Sequence, residues 1–171
     1  MEWHDWTVAG ALVCSPEGLL LVRNQRRGGA EDWSTPGGVI DAGDPSVLAG
    51  LVREVAEETG LTVTHWHGPV YEVVAVAPDM GWRMRCEVHL ASAFEGEIVV
   101  DDPDGIVVEA RFVPDEEIAE RLDRGPAWVR EPLAAWLGER WSAAEATRTF
   151  HYEVHGTGRD DLRVVRHPVE S

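Results

Sequence analysis

Apolar residues run almost unbroken from Thr7 to Ser15 (TVAGALVCS) and again from Leu19 to Asn24. Pro16-Glu17-Gly18 lies between them, which predicts two strands joined by a tight turn. From Leu48 the period changes. At about 100° per residue, Leu48, Leu51, Val52, Val55 and Thr59 share one flank, the pattern of an amphipathic helix. Gly43 is expected to open the preceding turn, Asp44 to cap the helix and Pro45 to take its first position. Strand patterns return at Leu61 to Trp66 and Val70 to Ala77, with a break at Gly68-Pro69. After a turn at Pro78–Trp82, Arg83 to Phe94 reads as a long strand, Ile98 to Val100 as a short one and Val107 to Val113 as another. Asp115 to Leu122 suits a short helix with an acidic first turn, and Glu131-Pro132 is expected to open a longer one, with Trp128 just before it. Phe150 to His155 and Leu162 to His167 flank a glycine-containing turn and read as a hairpin that extends the sheet or pairs two subunits. Strands, helix, strands, helix, then a hairpin predict an α/β (α+β) fold: one domain over 1–171 with a mixed sheet between helices.

Composition narrows the chemistry. The formal charge of −16 excludes a basic footprint for nucleic-acid backbone, while leaving nucleotides open, because a metal can bridge acidic protein to phosphate. Every basic residue other than histidine is arginine, so a phosphate clamp must use guanidinium groups or backbone amides. No apolar run reaches the roughly 20 residues of a membrane helix, and the first residues lack a basic leader, so a cytoplasmic home is expected. Cys14 and Cys86 are expected as free, buried thiols.

The helix carries a second pattern beside its apolar stripe. Glu54, Glu57 and Glu58 gather within an arc of roughly 100°. Like charges at such spacings cost about 0.2–0.5 kcal/mol per exposed pair, and more where solvent is excluded, so the grouping implies a cation. Glu54 and Glu58 are one turn apart and suit one Mg²⁺, which Glu57 can share or double; Mn²⁺ is a possible substitute. Arg53, four residues before Glu57, is placed to orient it. Upstream, Pro36-Gly37-Gly38 can bring bare backbone close to another element, and the mid-helix Gly50 is expected to leave room for that loop or for the metal.

Residues 38–61 resemble the Nudix box, the signature of hydrolases that cleave nucleoside diphosphates linked to another moiety. Gly38 matches the opening glycine, and Arg53-Glu54-Val55-Ala56-Glu57-Glu58-Thr59-Gly60-Leu61 matches the closing half without a gap. Asp44 stands where the family has glutamate, and eight residues rather than seven separate it from Arg53. The resemblance implies a Nudix-like α/β/α sandwich and Mg²⁺-dependent pyrophosphate hydrolysis. It implies metal binding by Glu54, Glu57 and Glu58, with a carbonyl of Gly37 or Gly38. It also implies a further acid, as base or ligand, from the loop after the central strands, here Asp102 or Asp104, with Glu87 and Glu72 as weaker candidates.

Specificity is less marked. Arg23, Arg26 and Arg27 flank a loose segment that can lie over a substrate phosphate, and Trp82 can stack on a base. Pro78 lies close to the spacing of a proline that, in the resembled family, marks ADP-ribose hydrolases. The substrates in view are therefore ADP-ribose-like compounds, nucleotide sugars and (deoxy)nucleoside triphosphates. The competing reading is a family-like domain that binds a nucleotide without cutting it.

Overall fold

The computed structural model describes residues 2–158 and 160–168, which form nine strands and three helices. The long strand β1 (His4–Ser15) organises them. It turns at Glu17 into β2 (Gly18–Gln25), which pairs with β3 (Glu31–Ser34) and with β7 (Val107–Val113) as a three-stranded wing. Along one edge β1 runs parallel to β6 (Trp82–Glu95) from His4↔Trp82 to Val13↔Ala91; on the opposite edge, before β2, it pairs antiparallel with the short β4 (Gly37–Val39). Then β5 (Thr62–Ala77), β8 (Arg148–His155) and β9 (Arg163–Arg166) complete a mixed sheet.

Alternation along the strands divides the core in two. Ala9, Ala11, Val13, Leu20 and Val22 face helix α1 (Val47–Thr59), where Leu51 and Val55 are fully buried. Leu12, Leu19, Leu21, Tyr71 and Val73 face the opposite way, toward α2 (Asp115–Arg121) and α3 (Ala127–Glu139), with Leu133 and Trp136 beneath them. The fold is the expected helix–sheet–helix sandwich, and no helix among the described residues is long and apolar enough to cross a membrane.

Several boundaries differ from the sequence reading. Ser46, not Asp44, caps α1: its hydroxyl accepts from Ala49 N–H at 3.1 Å, and Asp44 turns instead to Asp41 and Arg53. Gly68-Pro69 bends one continuous strand, β5, through a register irregularity opposite β6 rather than separating two. Ile98–Val100 is not a strand; Val99 N–H is satisfied by Thr59 O at the end of α1, which removes it from the ladder. Helix α3 begins at Ala127 after the N-cap Pro126, so Pro132 lies inside the helix and does not open it. The hairpin extends the sheet, with β8 parallel to β5 from Tyr71↔Arg148 to Val76↔Glu153. Cys14 and Cys86 are free and half-buried, and burial pushes both thiols up, Cys86 to about 12.

Candidate active site

The acidic flank of α1 packs beneath the diglycine strand. Gly37 has φ +154°, and a Cβ there would lie 2.1 Å from Ala9 O, so only glycine lets β4 pair this closely with β1. A Cβ on Gly38 would lie 2.7 Å from the Glu54 carboxyl carbon. The bare backbone therefore rests directly on the helix acid, as the sequence spacing implied.

Two of the three glutamates lie side by side. Glu58 is buried, 7% exposed, and Glu54 reaches it closely enough for the two carboxyls to share a proton. Loss of solvent pushes Glu58 up to about 9, with the charge of Glu54 and then of Asp102 adding to the rise. The Gly37 amide opposes it by favouring the ionised form. Glu54 also rises, chiefly through burial, while Arg53 draws it back.

Arg53 ties the helix to the preceding loop. Its Nη1 donates to Glu54 Oε1 at 3.1 Å and to Glu57 Oε2 at 3.2 Å. Its Nε and Nη2 take the two oxygens of Asp44 at 3.0 and 2.9 Å, and Asp41 approaches Nη2 at 3.2 Å. So many acceptors raise the guanidinium, and they hold Asp44 below its usual range. Gly50 makes this loop path possible, because a Cβ there would lie 2.8 Å from both Asp44 Oδ2 and Ile40 Cδ1.

This acidic end opens into a cleft of about 770 Å³. Asp102 and Asp104 both line it but do different work. Asp102 accepts from the backbone N–H groups of Asp104, Ile106 and Val107 at 2.9–3.2 Å, so it builds its own loop. The Asp104 carboxylate enters none of these bonds and remains free for chemistry. Farther in, the wall is apolar, formed by Tyr71, Val73, Met84, Val88 and Trp128.

The basic and aromatic candidates separate. Arg26 lines the cleft, held by Asp32 at 2.9 Å; Arg23 is engaged by Glu31 and Glu109 at 2.8 and 3.0 Å, and neither it nor Arg27 reaches the cleft. Trp82 does not line it either. Its ring packs edge-on against Trp128, 6.2 Å between centroids, and Trp128 is the one that faces the space. Trp33 also lines the cleft, and sequence alone assigns neither it nor Trp128 a binding role. The signal that could have raised Trp128 was its place in the first turn of α3, hidden by the misplaced helix start. Glu72 and Glu87 lie outside the cleft, paired with Arg85 and with His89.

Among the described residues, no three His, Cys, Asp or Glu side chains are placed so that they could hold a metal ion without moving. The donor set nevertheless fits a hard divalent cation. A buried carboxyl held beside a half-buried one, beneath bare backbone and next to a third glutamate, is the crowding of like charge that such an ion would relieve.

An oxygen-rich acidic cluster thus sits at the mouth of a half-apolar cleft on this sandwich. Residues 4–137 match the NUDIX domain model, and the chain belongs to the Nudix family of pyrophosphohydrolases, whose members generally use a divalent metal. It is similar to the mutator MutT protein from Bacillus halodurans: 25% identity, 93% of this chain and 97% of that one covered, TM-score 0.63. A MutT NUDIX hydrolase from Burkholderia pseudomallei is similar at 25% identity, with 80% and 98% covered and TM-score 0.58. A Xenopus laevis protein named nucleoside diphosphate-linked moiety X motif 6 is 41% identical over 58 residues; the match spans 34% of this chain and 26% of that relative.

Proposed function

We propose that the chain is a Mg²⁺-dependent hydrolase that cuts the pyrophosphate link of a nucleoside diphosphate joined to another moiety, giving a nucleoside monophosphate and a second phosphate product. The observation that carries this reading is the buried Glu58 beside the half-buried Glu54, beneath Gly37 and Gly38, in a cleft whose wall is in part apolar and aromatic. Glu54, Glu57 and Glu58 would hold the ion, with a Gly37 or Gly38 carbonyl, and bound there it supplies charge neutralisation on the phosphoryl oxygens. Arg53 keeps Glu54 and Glu57 aimed. Arg26 offers its guanidinium to a phosphate, the free Asp104 carboxylate takes the proton of the attacking water, and Trp128 receives the base. The Xenopus relative's name, with its nucleoside diphosphate-linked moiety, agrees with this class.

The cleft favours diphosphate diesters over triphosphates. Its lining carries Asp32, Asp41, Asp102 and Asp104 beside the three glutamates, against only Arg26 and Arg53 among the described residues. A more highly charged phosphate tail meets more repulsion there. The deciding experiment is a Mg²⁺-dependent screen of ADP-ribose-like compounds, nucleotide sugars and (deoxy)nucleoside triphosphates with detection of phosphate products. Glu57→Gln and Glu58→Gln are expected to lower turnover by roughly 10²–10³-fold. Nucleotide binding without products from any of them would identify a sensor domain instead.

A further inference from the structure

Far from the cleft, the C-terminal hairpin gathers another set of metal-binding side chains. In β8 the run His151-Tyr152-Glu153-Val154-His155 alternates, so the two histidines and Glu153 stand on one face while Tyr152 and Val154 are buried on the other. In β9, Val165 lies opposite Glu153, and His167 N–H donates to His151 O just beyond the strand, which puts His167 on that same face. The side chains meet there. Glu153 faces His155 Nε2 through one oxygen at 3.0 Å and His167 Nε2 through the other at 3.2 Å. Behind His155, Asp79 Oδ2 stands 3.9 Å from Nδ1 and accepts Gly156 N–H at 2.9 Å.

We infer that this face binds one borderline transition-metal ion, Zn²⁺ in the first instance, through His155 Nε2, His167 Nε2 and the Glu153 carboxylate. Two donors two residues apart on a strand, with a third from the neighbouring antiparallel strand, are the three protein ligands of an open zinc site, whose fourth position takes water. The imidazoles now address different oxygens of Glu153, so a side-chain rotation must bring one oxygen between them. All three side chains are partly exposed, and such rotations among staggered wells are open to them. Asp79 lies near the far side of the His155 ring, 3.9 Å from Nδ1, so the same rotation that turns Nε2 toward an ion can close Nδ1–H on a carboxylate. A single surface ion pair accounts for one imidazole on Glu153. It does not account for a second aimed at the same carboxylate, with His151 beside them, in a chain with 7 histidines. Imidazole prefers zinc to magnesium, so the hairpin and helix sites sort by chemistry, and an ion here would tie β8 to the end of β9.

The test uses the full chain in saturating Mg²⁺, titrated with Zn²⁺ by calorimetry, with thermal melts alongside. One equivalent of Zn²⁺ and a raised Tm are expected. The H155A/H167A double variant is expected to bind more than about tenfold more weakly and to lose the Tm rise, while its zinc-free melt and Mg²⁺-dependent hydrolysis match the parent. H167A alone provides a milder variant with the same direction of change. Glu58→Gln is expected to keep the zinc titration, which separates this site from the helix. Zinc uptake unchanged in the double variant, absent from the parent, or abolished by Glu58→Gln would overturn the assignment.

Discussion

Arg53 closes on Asp44 through two parallel hydrogen bonds, Nε to Oδ1 at 3.0 Å and Nη2 to Oδ2 at 2.9 Å. Aspartate is one methylene shorter than the glutamate of the resembled pattern, and the contact still forms because the loop lies flat against Gly50. Asp44→Ala is expected to release Arg53 and let Glu54 and Glu57 drift. Turnover should fall on the order of 10- to 100-fold, since small misplacements of reacting groups cost that much. Steady-state kinetics beside a circular dichroism spectrum will check it; unchanged turnover would remove Asp44 from the machinery.

Gly50→Ala tests the same contact from the helix side. Alanine in an exposed helix interior gains about 1 kcal/mol over glycine. Here its Cβ must displace Asp44 Oδ2 and Ile40 Cδ1, both at 2.8 Å. The expected result is a turnover loss out of proportion to any change in Tm.

Glu58 ties stability to pH. It is pushed from an ordinary 4.5 to about 9 in the folded, metal-free protein, so the fold retains a proton that the unfolded chain releases. This group's contribution is fully present below pH 4.5 and is lost as pH rises toward 9. A divalent ion bound here would take the proton's place. The Tm gain from saturating Mg²⁺ is therefore expected to grow between about pH 6 and 8.5, with ~1 proton released per ion near neutral pH. Melts across pH, and calorimetry in buffers of different ionisation enthalpy, measure both.

The two loop acids are expected to part company. Asp104→Asn should lower kcat and leave the melt unchanged, because its carboxylate supports no backbone. Asp102→Asn weakens three bonds to the Asp104, Ile106 and Val107 amides, and should loosen the loop and lower both kcat and Tm.

Trp128→Ala is expected to raise KM more than it lowers kcat, by roughly 5- to 100-fold if a base stacks on the indole. Trp82→Ala should give a smaller effect of the same kind, since it removes only the edge that steadies Trp128. Equal KM values for parent and Trp128→Ala would move the base elsewhere.

The helix, its glutamates and the glycine loop were legible in sequence because each rests on local rules: a 3.6-residue period, short-range carboxylate spacing, and backbone that must pass close to something. The strands β1, β2, β6 and β7 were legible for the same reason, whereas the bend at Gly68-Pro69 made β5 read as two. What escaped depends on partners distant in the chain. Glu31–Ser34 is polar and reads as loop, yet becomes β3 because β2 offers it a ladder. Trp82 and Trp128 look alike in sequence, and only the packing of α3 decides which one meets the cleft. Ser46 outcompeted Asp44 as cap because Arg53, nine residues on, claimed the aspartate.

The family match ends at residue 137, and the packing behind the cleft continues past it. Phe150 of β8 meets Tyr71 edge-on, 5.9 Å between ring centres, and Tyr71 borders the cleft. The tail is thus mechanically in series with the floor of the reaction chamber, one aromatic ring removed. A bulky fusion that strains the last strand should register as altered affinity for substrate, although nothing attached there comes near the acids.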